Sequence, residues 1–598
     1  MMRFLARLLA LAALAATVPL HAASGPWVAG EPAAAPKSVA VPRLHLATGS
    51  KAAAATARIE LTAPDAADMA AIRTHNESAA RMKRAARMKR AAIGLTRALD
   101  AAARVPGSQL AWTAVDGGTA ARASVTSSGA AAMRMSIALA GVPAGVQMVF
   151  FGSADPSRLF GPVRVGDIPD RTRPYWSPVT EGDTQTVEFF APAGTGADAR
   201  SLVITGAGHL FAGPSSNFTK LTGDIGTSGS CNVDIACSPL VTNLAFDDAV
   251  GAVAQMSFND AKFQYLCTGT LLNDSDASTQ VPWFFSANHC FDNEQAPYKT
   301  PTEMQTIAST LTTVWHFEAA TCRGSVPVSN WSQVGGGAQY IYNNPSQDAL
   351  FLRLNNAPPA GAYYLGWDAS TVTSGTGVTV IHHPSGDLKK VSLGSMLRLT
   401  SPESIGGANL PFYEVGYSSG TTEGGSSGSG LLTNNGSQYL LRGALWGGVA
   451  ACDAITASDW YSRFDIIYPA ISQYLGTSGS AIDYTDLWWG GDSQSGWGLN
   501  LMQHASRNIF GVWYTYDANR HMMWYVIPSG TWSSSNVFTG DIYRTSGPPA
   551  NAASFNASAV VRTKVGQGTL TFSDANNGTF AFSIDGVAGT KAITRQPF

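Results

Sequence analysis

Three short motifs, far apart in the chain, hold the residue types that make an acyl-transfer nucleophile. Phe285-Ser286-Ala287-Asn288-His289-Cys290 offers a histidine, and Ser346-Gln347-Asp348-Ala349-Leu350-Phe351-Leu352 offers a single acid leading into an apolar strand. Gly425-Ser426-Ser427-Gly428-Ser429-Gly430 offers a serine in a glycine-rich turn. A serine hydroxyl is a poor nucleophile until a base takes its proton, and neutral imidazole has the right affinity for that work. The base must be kept in one tautomer by a buried acid, and the developing oxyanion needs backbone donors. These needs assign the base to His289, the orienting acid to Asp348 and the nucleophile to Ser427, with the amides of Gly425 and Ser427 converging on the oxyanion. Each motif alone is commonplace. Their order along the chain, and the bracketing of the histidine loop by Cys267 and Cys290, make them one constellation. The rival pair His382-His383-Pro384 has no flanking cysteine and reads as structural.

The elements that must position these residues belong to a long chain of 598 residues, too long for one core and consistent with about three domains. A net charge of −2 with 13% charged residues gives no reason to expect a nucleic-acid partner. Residues 1–23 read as a signal peptide, with a basic start, the apolar run Leu8 to Val18 and small residues for cleavage. That run is shorter than the roughly 18 residues a membrane span needs, so the expected localisation is secreted, with no membrane span. All six cysteines lie between Cys231 and Cys452, which in an exported chain implies disulfides confined to one domain. Their spacing does not suit zinc, and neither metal nor organic cofactor is expected.

Residues 24–225 contain no cysteine, begin rich in Ala and Pro, and then show strand-like runs such as Ala132 to Leu139 and Val146 to Phe151. Within them Arg81-Met82-Lys83-Arg84-Ala85-Ala86-Arg87-Met88-Lys89-Arg90 reads as a basic helix. A solvated helix surface is the favoured account of it, over a processing site or a charged docking face. Residues 226–475 alternate short β-like runs with Gly/Asn/Ser turns, as an all-β barrel does, and close on an amphipathic segment, Arg463 to Leu475. Residues 476–480 read as a linker, and 481–598 as a small, aromatic-rich β domain without disulfides. Its Trp and Tyr residues could stack on polysaccharide or a cell surface, but most are expected in its core.

The middle region resembles the lysyl endopeptidases, secreted bacterial serine proteases of the chymotrypsin-like clan. The resemblance is carried by Gly226-Thr227-Ser228-Gly229-Ser230-Cys231-Asn232-Val233-Asp234, Cys267-Thr268-Gly269, Asn288-His289-Cys290, Ile381-His382-His383-Pro384 and Thr422-Glu423-Gly424-Gly425-Ser426-Ser427-Gly428-Ser429. It implies a mainly β fold: a chymotrypsin-like double β-barrel, preceded by an α+β pro-region and followed by the small all-β domain. It also implies the disulfides Cys231–Cys452, Cys237–Cys322 and Cys267–Cys290. In trypsin the carboxylate of the primary specificity pocket lies about six residues before the nucleophile; here that position is Thr421. The lysyl endopeptidases instead place an Asp shortly after the last cysteine, and Asp459 aligns best with it, ahead of Tyr461 and Arg463. Thr421, Glu423, Trp446, Gly447 and Gly448 complete the expected substrate-binding set. Trp446 departs from the family, which has a histidine in that strand, and puts strict preference for lysine over arginine in question.

The resemblance therefore implies a zymogen and a secreted endopeptidase cleaving protein or peptide substrates after lysine through an acyl-enzyme. Broader cleavage after Lys and Arg is the alternative, and an inactive adhesin or binding module the alternative of another class. After Gly226 the only lysines are Lys262, Lys299, Lys389, Lys390, Lys564 and Lys591, a weak sign of lysine avoidance. The residue before the nucleophile, Ser426, carries no charge to hold a new N-terminus, so removal of the pro-region is expected to act by unblocking the cleft. The family has a pro-region that assists folding and is cut off by the enzyme itself. Lys220 is a candidate early self-cleavage site, and Ile225–Gly226 the candidate mature start.

Overall fold

The computed structural model describes residues 27–34, 42–46, 57–78, 87–213, 228–276, 279–292, 297–401, 411–475 and 484–597, apart from 504–507, 518, 535, 550 and 552–553. The expected signal peptide, the Lys220 and Ile225–Gly226 positions and the 476–480 linker lie outside them.

The middle of the chain folds as two β-barrels packed side by side. In the first, Thr312–Trp315 pairs with Val253–Asn259, which pairs with Phe263–Leu272; Trp283–Ser286, Ala349–Leu354 and Ala338–Asn344 follow in that order. The Gly337 amide donates to the Leu311 carbonyl at 3.1 Å and brings the two ends together. The second barrel is a closed ring of Tyr439–Gly448, Gly430–Asn434, Gly377–His382, Lys390–Thr400, Phe412–Ser419 and Ser458–Tyr461, the last pairing back to the first. Closure leaves no free sheet edge on these strands, and inward side chains such as Val380, Val415, Leu431 and Leu445 fill the interior. The fold is the double β-barrel expected from the resemblance.

The amphipathic segment expected to close this region is the helix Phe464–Leu475. Phe464, Ile467, Ile471 and Leu475 recur at helical spacing and are buried against Leu365, Trp367 and Phe285. The disulfides Cys231–Cys452, Cys237–Cys322 and Cys267–Cys290 are all formed.

The N-terminal unit is built of two sheets around Met133, Phe150, Val187 and Phe189, with the helix Ala66–Ser78 outside that core. One of its strands, Ala91–Ala98, pairs antiparallel with Val203–Leu210 on one edge and with Phe263–Leu272 of the first barrel on the other. A single sheet thus runs from this unit into the first barrel. The basic run departs from the expected helix: Arg87–Met88 is a strand, and the following Lys89 is 2% exposed rather than solvated.

The C-terminal unit is a nine-stranded antiparallel sheet in which Val526 of the end strand Met522–Ile527 also pairs with Tyr543 of Val537–Ser546, the strand next to the other end. Tyr484, Trp488, Trp513, Phe572 and Phe580 form its core, while Tyr514 and Trp524 face outward side by side.

The Cys267–Cys290 bridge closes a sequence separation of 23 residues next to the His289 loop. Its loss in C267A/C290A should release about 3 kcal/mol of constraint. In a Ser427→Ala background, hydrogen exchange across 283–292 should then accelerate about 100-fold, and an unchanged rate would show that the bridge does not hold the loop.

Candidate active site

His289 sits in the short turn Asn288–Cys290 that leaves the strand Trp283–Ser286. Its backbone amide donates to Asp348 Oδ1 at 2.8 Å, and its Nδ1 lies 2.7 Å from Asp348 Oδ2. A carboxylate can only accept, so Nδ1 carries the proton and the Nε2 lone pair faces Ser427 Oγ, 2.6 Å away. All three side chains are buried. Asp348 reaches both groups from a left-handed backbone (φ 47°) at the end of the turn Pro345–Gln347, which the Asn344 side chain caps by accepting from the Gln347 amide. An Asp tolerates that conformation better than most residues. The arrangement can take the Ser427 proton and keep the resulting imidazolium beside a carboxylate.

The Ser427 turn needs its glycines. Gly425 and Gly428 have φ of +94° and +81°, and a Cβ on Gly428 would lie 2.4 Å from the Thr268 carbonyl oxygen. Thr268 clamps the turn: its amide donates to the Ser427 carbonyl at 2.8 Å and its hydroxyl to the Gly425 carbonyl at 3.0 Å. Behind the turn, Ser426 Oγ is 2.8 Å from His382 Nδ1, and His382 Nε2 is 3.1 Å from Ser392 Oγ. The Ser392 hydroxyl in turn donates to the Thr421 carbonyl at 2.8 Å. Because the Ser392 hydroxyl donates onward, His382 Nε2 carries a proton and donates it to Ser392. Burial first, then the charges of Lys89 and Lys390, push the histidine's pKa down to about 3. His382 braces the nucleophile's neighbour from behind.

Asp459 is fully buried on the strand Ser458–Tyr461. Its carboxylate accepts from the Ala450 amide at 3.2 Å, the Tyr417 hydroxyl at 3.0 Å and the Thr422 hydroxyl at 2.5 Å. The Tyr417 and Tyr461 hydroxyls lie 2.6 Å apart; burial, then the Asp459 charge, holds both well above the usual phenol range, so they remain neutral. Facing them is a cation from the N-terminal unit. Lys89 Nζ is 2.8 Å from each Asp459 oxygen, 2.9 Å from the Ala450 carbonyl, and 3.0 and 2.5 Å from the carbonyl and hydroxyl of Thr422.

The backbone of that segment is bound as an added strand. Met88 pairs antiparallel with Gly447 and Arg87 with Gly448. The Lys89 carbonyl oxygen accepts from the Gly425 amide at 2.5 Å and the Ser427 amide at 3.4 Å, the two donors expected for an oxyanion. Gly448 has no alternative: a Cβ there would lie 2.1 Å from Asp459 Oδ1.

The structure brings together His289, Asp348, Ser427, Gly425, Asp459, Gly447 and Gly448. Trp446 is buried beside Phe412, packed by Val449 and Trp460, on the same strand. Two expected pocket residues sit elsewhere. Glu423 accepts from the Gly229 amide, Asn232 Nδ2 and Ser385 Oγ, and braces the chain near the Cys231–Cys452 bridge. Thr421 is buried behind the turn, and the residue that bonds the ammonium is its neighbour Thr422. Sequence reading missed Thr422, Tyr417 and Lys89. The first two carry only the signal of hydroxyl residues at β spacing, whereas Lys89 stood in plain view inside the basic run. Among the described residues no cluster of His, Cys, Asp or Glu could hold a metal ion.

Two barrels that bring a histidine, an acid and a serine to one cleft define the class: this is a serine endopeptidase. A family model described as the lysyl endopeptidase C-terminal domain matches residues 225–462, and one described as the lysyl endopeptidase N-terminal domain matches 60–211. A lysyl endopeptidase of Pseudomonas aeruginosa is 35% identical over 376 residues, 60% of this chain and 76% of the relative. The chain belongs to the lysyl endopeptidase family. Solved structures that align with it include the Rv3671c protease from M. tuberculosis in its active form, at 15% identity over 43% of this chain and 92% of the other, with a TM-score of 0.26. The HtrA-type protease AlgW with a tripeptide aligns at 13% identity over 59% and 96%, also at 0.26.

An unfolded histidine titrates near pH 6.5, roughly three units above the folded His382. The folded state therefore rejects a proton that the unfolded state accepts, so this contribution to stability is full above about pH 6.5 and is lost as pH falls toward 3. In a Ser427→Ala background, His382→Gln keeps one donor and one acceptor but does not titrate. Its urea midpoint should depend less on pH across that window than that of the parent, and equal slopes would remove His382 as a source of acid sensitivity.

Proposed function

We propose that this protein is a secreted endopeptidase that cleaves on the carboxyl side of lysine, with His289, Asp348 and Ser427 as its catalytic triad. The observation that carries the lysine reading is the seat of Lys89: its ammonium on Asp459, its carbonyl oxygen on the amides of Gly425 and Ser427, and its preceding residues paired to Gly447 and Gly448. A lysyl side chain fills the pocket while its own carbonyl reaches the oxyanion donors. The ammonium brings three N–H donors to a pocket of carboxylate, carbonyl and hydroxyl acceptors. A guanidinium is planar and longer, and its fixed fork does not match acceptors converging on one point.

In the reaction, Ser427 Oγ attacks the lysyl carbonyl as His289 Nε2 takes its proton. The Gly425 and Ser427 amides hold the oxyanion, and His289 returns the proton to the leaving amine. Water then cleaves the acyl-enzyme by the same route. Export is supported by the N-terminal basic-then-apolar sequence and by three disulfides in one unit.

Asp459→Asn leaves the pocket shape but removes its charge. For the processed enzyme, kcat/KM on a lysyl amide should fall about 30-fold or more, the cost of breaking a buried charge pair. Reaction of Ser427 with a small neutral organophosphate should persist at the parent rate. An unchanged kcat/KM would remove Asp459 as the lysine determinant.

A further inference from the structure

Lys89 is seated as a substrate is, and the chain runs on without a break to Arg90. We propose that the Lys89–Arg90 peptide bond is a self-cleavage site within the N-terminal unit, cut by the same molecule that carries it, and that the two products stay assembled after the cut. The proposal rests on the lysine-pocket reading above for the choice of Lys89, and on separate contacts for the residues that follow it.

On the leaving side, the Arg90 guanidinium donates to the Cys290 carbonyl at 3.2 Å and lies 4.3 Å over the Tyr265 ring. Beyond it, Ala91 pairs with Leu266 and Ala92 with Tyr265, and the same strand Ala91–Ala98 pairs with Val203–Leu210 on its other edge. Both sides of the bond are therefore held as β-strands, Arg87–Met88 before it and Ala91–Ala98 after it, and the carbonyl between them points at the oxyanion donors. A solvated linker would show none of these contacts.

The step balances with one water. Ser427 Oγ bonds to the Lys89 carbonyl carbon, the C–N bond to Arg90 breaks, and His289 passes the serine's proton to the new amine. Hydrolysis of the ester restores Ser427 and leaves a carboxylate at Lys89. Because Ala91–Ala98 is the central strand between two partners, the new amine of Arg90 remains at the cleft, where it can re-attack the ester. The cut therefore does not by itself expel the segment.

The sequence carries this recognition twice, since Arg81-Met82-Lys83-Arg84-Ala85-Ala86 is repeated as Arg87-Met88-Lys89-Arg90-Ala91-Ala92. The first copy lies outside the described residues. Its Lys83-Arg84 bond has the same sequence and a cut there would give a terminus at Arg84, so the test replaces both lysines.

The full chain is refolded at two concentrations tenfold apart, and new N-termini are read over time by sequencing. The expected result is an N-terminus at Arg90 that forms at a rate independent of concentration, is absent in Ser427→Ala, and co-elutes with the piece ending at Lys89. It should be lost in Lys83→Gln/Lys89→Gln. The proposal is overturned if the bond stays intact while the same sample cleaves an added lysyl peptide, or if the Arg90 terminus forms tenfold faster at the higher concentration. Lys89→Arg separates the two readings. Cleavage at position 89 at the parent rate upholds the site but contradicts the lysine preference, whereas loss of cleavage there upholds both.

Discussion

The ion pair between Lys89 and Asp459 is the interaction on which the rest of the arrangement depends. A carboxylate with no exposure to water costs several kcal/mol unless its lone pairs and its charge are both answered. Tyr417, Thr422 and the Ala450 amide answer the lone pairs, and only a cation answers the charge. A cation beside Asp459 is thus what its burial calls for. With the N-terminal unit in place the condition is met from within the chain, by a residue 370 positions away.

The same economy applies to the nucleophile. A bare glycine-rich turn would sample many shapes, and an oxyanion site must be formed before the charge arrives. Thr268 fastens the turn from the first barrel, and the His382–Ser426 contact fastens it from the second. Ser426 has no charge with which to capture an ammonium, and a neutral histidine between two hydroxyls does the bracing instead. Lys89 contributes to keeping that histidine neutral. Occupation of the pocket and the shape of the turn are linked through the backbone bonds to the Lys89 carbonyl.

Much of this was legible in the sequence, and the pattern of what was not has a physical reason. His289, Asp348 and Ser427 sit in motifs that are commonplace singly and become informative through their order and the bracketing cysteines, and the cysteines pair as the resemblance implied. Asp459 was singled out through the resemblance, because its distance to Tyr461 and Arg463 is the family's. Thr421 and Thr422 could not be told apart, since one residue of register decides which faces the pocket. Glu423 was placed in the substrate-binding set, but its partners Gly229, Asn232 and Ser385 are distant in the chain. Lys89 was misread because Arg, Met, Lys and Ala are all good helix formers. Two strand pairings and a buried ion pair, none of them visible locally, outweigh that preference.

The central claim is that Asp459 and its surrounding acceptors select lysine at the cleaved bond. It is tested most directly by digesting a denatured protein of mixed sequence with the processed enzyme and mapping every new C-terminus. The account predicts termini at lysine and none at arginine under limiting digestion. Termini at arginine in comparable number, or spread over neutral residues, would contradict it.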